Sequence, residues 1–331
     1  MSDGDAVGSD QGEATADLTY HVNGDLVPAS AATVSVRDRG FMYGDGAFET
    51  LRVYGGDPFE WPAHRERLQR TAETLGFGGA VPDDLRERVD ETLAANDLAD
   101  AYCKVSVTRG VQPGKLTPDP EVDPTVVVYV APLERGGVDS ESVWDDPATV
   151  QTVRTRRPPD AALPADAKTH NYLPGILARL ELRRATTDDF AADEAVMRTT
   201  DGYLAEGATS NLFFVDEGTL KTPTTDLPIL PGVTRSVVLD LADDEGFPIR
   251  QGRYTLDDLR EADEAFLTNS TWEIRPITSV DGIDLGVGPM TKLLARLFDD
   301  RVERAHYGDE PDQSGEERAG DSDEPDQSGA E

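Results

Sequence analysis

Lysine is scarce in this chain: only five amines stand among 31 basic residues, against 65 acidic ones, for a formal net charge of -34 over 331 residues. So anionic a surface repels nucleic acid and acidic membrane, and neither is expected as a partner. Cysteine is nearly absent. The single Cys103 excludes an internal disulfide, and its place in the apolar run 102–107 predicts a buried thiol. Long apolar runs are missing too, and Met1-Ser2-Asp3-Gly4-Asp5 has neither the basic nor the apolar stretch of a secretory signal, so a cytoplasmic protein is expected. The four histidines, His21, His64, His170 and His306, show no paired ligand spacing, and the many acids show no EF-hand spacing. No metal is expected. Gly44-Asp45-Gly46 lacks the surroundings of a nucleotide loop and reads as a tight turn. Acid excess with lysine depletion suits work in concentrated intracellular salt, which screens self-repulsion, and predicts a halophilic host.

The length suffices for two modest cores. Residues 1–17 are rich in Asp, Gly, Ser and Ala, and 308–331 repeat the acidic stretch Asp309 to Gly315 as Asp323 to Gly329. Both ends are expected to be disordered tails. Between them the reading is mixed α+β in two domains: a small one over 18–131, a linker over 132–137, and a larger one over 138–307. Helices are predicted at 62–75, 82–95, 174–186, 234–245 and 290–299. Strands are predicted at 47–54, 101–109, 125–131, 148–154, 194–199, 211–215 and 263–268, with a hairpin at 19–24.

In so lysine-poor a chain, Lys168 in Asp166-Ala167-Lys168-Thr169-His170-Asn171-Tyr172-Leu173 needs a reason. An amine can form a Schiff base with an aldehyde, which a guanidinium cannot. Downstream, Glu206-Gly207-Ala208-Thr209-Ser210-Asn211-Leu212-Phe213 sets a lone carboxylate before an apolar strand. Opposite a pyridinium nitrogen, such a carboxylate would keep pyridoxal phosphate in its electron-sink form.

Together these two segments resemble the class IV pyridoxal-phosphate aminotransferases, a family that includes branched-chain transaminases, D-amino-acid transaminases and aminodeoxychorismate lyases. The resemblance runs from about Leu18 to about Asp300. It implies a two-domain fold type IV enzyme, a homodimer, with its site between the domains and pyridoxal 5'-phosphate on Lys168. By its pattern a strand-turn-strand segment, Phe41 to Thr50, precedes a helix with His64-Arg65-Glu66-Arg67-Leu68, and Arg67 would bind the cofactor phosphate. Leu230-Pro231-Gly232-Val233-Thr234 would add Val233 and Thr234 at a helix N-terminus, where free N–H groups and the dipole favour an anion. Ser270 would give a hydroxyl to the phosphate, Tyr172 would stand near the cofactor's phenolic oxygen, and Glu206 would face its nitrogen.

Substrate choice rests on fewer residues. The Arg-x-His pair of D-amino-acid transaminases is absent after Thr108-Arg109-Gly110. Branched-chain transaminases tend to show Tyr-x-Arg and Gly-Thr-Ala where this chain has Tyr102-Cys103-Lys104 and Asn269-Ser270-Thr271. Both places look more like the lyases, although Ser279 to Ile283 and Gly288 to Lys292 look like the branched-chain enzymes. The resemblance thus implies conversion of 4-amino-4-deoxychorismate to p-aminobenzoate and pyruvate, a step toward folate. Lys104, Asn269 and Thr271 would hold the substrate carboxylates. The alternative is a branched-chain or D-amino-acid transaminase using 2-oxoglutarate.

Overall fold

The computed structural model describes residues 18–135, 144, 146–187 and 191–308, so the expected tails fall outside it, Gly308 excepted. None of the helices it describes is long and apolar enough to cross a membrane.

β-branched and aromatic runs build a first, antiparallel sheet from β1 (Thr19–Val22), β2 (Asp25–Pro28), β3 (Gly46–Tyr54), β4 (Asp57–Pro58), β5 (Ala101–Thr108) and β6 (Thr125–Pro132). Their order is β2-β1-β6-β5-β3-β4. Strict alternation in β5 sorts its two faces. Ala101, Cys103, Val105 and Val107 are buried in a core shared with Leu68 and Ala72 of α2 (Trp61–Thr74) and Leu85 and Val89 of α3 (Leu85–Ala95). Burial pushes the Cys103 thiol up to about 12. Tyr102, Lys104 and Ser106 fall on the opposite, half-buried face, with Lys104 paired to Thr50 of β3.

Phe41 to Thr50 is not strand-turn-strand. The short helix α1 (Arg39–Tyr43) precedes β3, because Asp38 caps it by accepting from the Gly40 N–H at 2.7 Å. Gly44 closes it at φ 71°, a left-handed conformation that suits glycine.

The second sheet contains β7 (Ala148–Arg156), β8 (Glu194–Arg198), β9 (Leu204–Gly207), β10 (Asn211–Asp216), β11 (Thr219–Pro223), β12 (Ile249–Gly252), β13 (Glu264–Asn269), β14 (Glu273–Val280) and β15 (Ile283–Asp284). It runs β12-β11-β10-β13-β14-β7-β8-β9, with β15 on β14. The helices here are α4 (Leu173–Ala185), α5 (Val233–Asp244), α6 (Leu256–Arg260) and α7 (Pro289–Val302). The architecture is mixed α/β, as expected. Central strands β10 and β13 are buried on both faces through Phe213, Phe214, Phe266 and Leu267, and so lack alternation.

Two seams join the sheets. Residues 168–170 lie along the start of β3, where the Phe48 N–H donates to Lys168 O at 3.0 Å and the His170 N–H to Gly46 O at 2.9 Å. Farther along, Tyr54 and Phe59 pack with Phe298 and Val302 of α7 in one core. Lys168 therefore sits where the two sheets meet.

Candidate active site

Lys168 is fixed in a loop ahead of α4 by its own backbone: its N–H donates to Thr71 Oγ1 at 3.0 Å, and its carbonyl is held by β3. Its Nζ donates to Tyr172 Oη at 2.9 Å and lies 4.6 Å from the centre of the Phe48 ring. Backbone anchors and a hydroxyl partner limit the rotamers open to a long side chain, so the amine has a defined position.

Glu206 ends up inside β9, 6% exposed. Its Oε1 is 2.9 Å from Arg157 Nε, and its Oε2 accepts from the Leu230 N–H at 2.9 Å and from Asn211 Nδ2 at 3.4 Å. Burial pushes its pKa up, while Arg157, the Leu230 N–H, Lys168 and Arg67 pull it back. Arg157 was not anticipated. It follows β7 by one residue, far from Glu206 in sequence, and nothing separates it there from neighbouring Arg154 and Arg156.

Arg67 is 4% exposed on α2. Its Nε and Nη2 donate to the two oxygens of Glu49 at 2.7 and 2.6 Å, and its Nη1 donates to Pro231 O at 2.9 Å. Two of the five guanidinium N–H groups stay unengaged by these bonds, enough for an anion. His64 Nδ1 meets Glu49 Oε2 at 2.7 Å. Burial alone would raise the Glu49 pKa, but Arg67 and His64 more than reverse it and hold the carboxyl at about 2. The fork is thus aimed by a permanent anion.

α5 begins at Val233 with no side chain capping its first turn, which leaves backbone donors open to an anion. A Cβ on Gly232 would stand 2.0 Å from Asn211 Oδ1, so only glycine lets the chain enter α5 this close to β10. Thr268 Oγ1 is buried without a partner among the described residues, beside the same cavity. An amine, a buried carboxylate and an anion cradle thus surround one cavity, a donor set that matches the aldehyde, ring nitrogen and phosphate of pyridoxal phosphate.

Of the residues singled out from sequence, Arg67, Lys168, Tyr172, Glu206, Val233, Thr234, Asn269 and Ser270 line that cavity. Lys104 and Thr271 do not. Lys104 Nζ lies 4.6 Å from the centre of the Phe48 ring, which Lys168 also approaches. Burial, then Lys168, lowers its pKa. It has no hydrogen bond or ion pair among the described residues. Thr271 N–H and O–H both point at Asn269 Oδ1, at 3.0 and 3.1 Å. Asn269 keeps its Nδ2 3.4 Å from Thr209 O.

Residues 46–280 match the family of class IV amino-transferases. A protein of Methanocaldococcus jannaschii, provisionally assigned as a branched-chain-amino-acid aminotransferase, is 37% identical over 289 residues, 86% of this chain and 96% of that protein. The D-alanine aminotransferase of Listeria monocytogenes is 33% identical over 86% of this chain and 96% of its own length. The aminodeoxychorismate lyase of Bacillus subtilis is 32% identical, with 86% and 94% covered. Among solved structures, the branched-chain aminotransferase of Thermoproteus uzoniensis with norvaline superposes with a TM-score of 0.76 at 29% identity, covering 86% of this chain and 94% of that one. The sheets and helices above are those of a fold type IV enzyme.

Proposed function

This chain belongs to the class IV amino-transferases and works with pyridoxal phosphate, and within that family we propose that it is an aminodeoxychorismate lyase, releasing pyruvate and p-aminobenzoate from 4-amino-4-deoxychorismate. The cofactor supplies an electron sink conjugated to the substrate's amino carbon. The protein supplies the rest. Arg67, the first N–H groups of α5 at Val233 and Thr234, and the Ser270 hydroxyl hold the phosphate. Glu206, whose charge Arg157 supports against the cost of burial, would face the ring nitrogen. Lys168 Nζ, steadied by Tyr172 Oη, takes the proton from the amine-bearing ring carbon of the substrate. The ether C–O bond on the adjacent carbon breaks, enolpyruvate leaves and becomes pyruvate, and the ring turns aromatic.

One observation carries this reading: Lys104 and Lys168 approach one phenyl ring, each at 4.6 Å, so their separation cannot exceed twice that distance. In the proposed substrate the amine and the ring carboxylate stand across a six-membered ring from each other, a span that fits within that bound. With the amine at Lys168, the half-buried Lys104 side chain, without a hydrogen bond or ion pair among the described residues, gives the carboxylate a partner. Lys104→Ala should raise KM or lower kcat at least about tenfold, the loss of one charge-assisted bond, with the cofactor still bound. An unchanged kcat/KM would remove Lys104 from the site.

A branched-chain or D-amino-acid transaminase is the second reading, favoured by the 37% and 33% identities to such relatives. It requires a keto acid such as 2-oxoglutarate and ping-pong kinetics. We also read the protein as a cytoplasmic homodimer of a halophile. Val36, Phe41 and Leu116 are 74%, 73% and 80% exposed, on segments tied together by Arg39 Nη1 to Lys115 O and Nη2 to Leu116 O. Large apolar side chains so exposed on neighbouring segments of so charged a chain support a partner surface.

A further inference from the structure

Glu194, the first residue of β8, is 0% exposed and is not among the side chains on the cavity wall. A carboxylate so far from water must find donors. Its Oε1 accepts from the Ala195 N–H at 2.7 Å and the Ala208 N–H at 3.2 Å. Its Oε2 accepts from the Thr209 N–H at 3.3 Å, the Thr209 O–H at 2.9 Å and the Ser210 O–H at 3.4 Å. Four of these five donors belong to residues 208–210, the short segment between β9 and β10.

That segment is part of the site. Gly207, Ala208, Thr209 and Ser210 all line the cavity, and Gly207 directly follows Glu206. It is also pinned from the side of α4, where a Cβ on Gly175 would stand 2.9 Å from Ala208 O, so the first turn of the helix has no room for a side chain there. Gly207 is as tightly placed: its Cβ would stand 2.2 Å from Ser210 Oγ and 3.2 Å from Glu194 Cγ. Farther along α4, Arg179 Nη1 donates to Asp193 O and lies 3.8 Å from Glu194 Oε1. One buried carboxylate thus ties the helix that follows Lys168 to the segment that follows Glu206.

We propose that Glu194 is a positioning residue for the cofactor: by holding residues 208–210 against α4 it sets the spacing across the cavity between Lys168 and Glu206, and with it the tilt of the pyridine ring. The inference rests on those two side chains holding opposite ends of the ring, and on nothing about the amino substrate. A glutamine at 194 would fill the same space but turn an amide NH2 toward donors that need an acceptor. An aspartate would keep the charge and draw it back by one methylene. A shift on the order of 1 Å is enough to misalign a bound group.

The test compares the unaltered full-length enzyme with Glu194→Gln, Glu194→Asp and Gly175→Ala, the last of which presses on Ala208 O from the other side with Glu194 intact. Three quantities are measured: the cofactor dissociation constant by absorbance titration, the circular dichroism of the visible cofactor band per bound cofactor at saturation, and Tm. Glu194→Gln should weaken cofactor binding about tenfold or more, the scale of buried donors left unpaired, and should change the dichroism of the band. Glu194→Asp should move both less, and Gly175→Ala should change the dichroism as well. A purely structural contact lowers Tm but leaves affinity and dichroism per bound cofactor unmoved, and that pattern would overturn the proposal. If Glu194→Gln fails to fold, unmoved dichroism in the aspartate and Gly175→Ala variants overturns it equally. Glu206→Gln, run alongside, tests the premise separately. Unmoved affinity and dichroism there would remove Glu206 from the ring nitrogen, while the Glu194 series would still decide whether the 208–210 segment positions the cofactor.

Discussion

Arg157 governs how much charge Glu206 can carry away from water. A carboxyl 6% exposed has its pKa raised by burial, and the guanidinium 2.9 Å away is the largest force acting against that rise. A carboxyl whose folded pKa is raised stays neutral up to a higher pH, and only its ionised form pairs with a protonated ring nitrogen. Arg157→Ala should therefore weaken cofactor affinity near neutral pH about tenfold or more, the cost of leaving a buried charge partner alone. The deficit should shrink as pH rises above the displaced pKa, and Arg157→Lys should restore part of it. Cofactor titration by absorbance across pH checks this; a deficit independent of pH would mean that Arg157 acts through packing only. Lys168 and Glu206 were legible in the sequence because each sits in a local motif with its chemical reason beside it. Arg157 was not, since its meaning comes from a strand end meeting a different strand. Asn269, expected from the sequence as a site residue, lies on the cavity wall, and its amide oxygen accepts from the Thr271 and Trp272 N–H groups, bonds that only the turn after β13 creates.

Among the elements, α5 shows how local sequence becomes a binding surface. Gly232 leads into it with no room for a Cβ, which would stand 2.0 Å from Asn211 Oδ1, and Asn211 Nδ2 in turn donates to Leu230 O at 2.9 Å. Gly232→Ala should push the first turn of α5 off β10 and cost more in cofactor affinity than in fold stability, because α5 is otherwise packed through Val237, Val238 and Leu241. Parallel cofactor titration and thermal melts decide it. A Tm drop with cofactor affinity intact would contradict the account. The longer helices were legible from periodicity: α2, predicted at 62–75, forms at Trp61–Thr74, and α4, predicted at 174–186, at Leu173–Ala185. Strands β9, β11 and β12 were missed because four or five residues cannot display a period, and two of them end in glycine and one in proline. Phe41 to Thr50 was misread because a five-residue helix is set by its caps, Asp38 and Gly44, rather than by an apolar stripe.

For the whole molecule, charge dominates. A formal -34 destabilises a compact state in dilute buffer through self-repulsion that concentrated salt removes, since the screening length falls to roughly 3 Å at 1 M. Tm should rise as KCl goes from millimolar to multimolar; a falling Tm would contradict the halophilic reading. The same salt strengthens apolar association, so Phe41→Asp together with Leu116→Asp should shift a dimer toward monomer in sedimentation at high KCl, and an unmoved distribution would place the partner surface elsewhere. Neither property was readable beyond composition and resemblance, because self-repulsion and apolar patches belong to a surface that only the fold assembles.

The lyase assignment is tested most directly by giving holoenzyme 4-amino-4-deoxychorismate with no keto acid present. Pyruvate and p-aminobenzoate should appear in equal amounts over many turnovers. Failure to release pyruvate, together with turnover of leucine, valine or D-alanine only when 2-oxoglutarate is supplied, would contradict it.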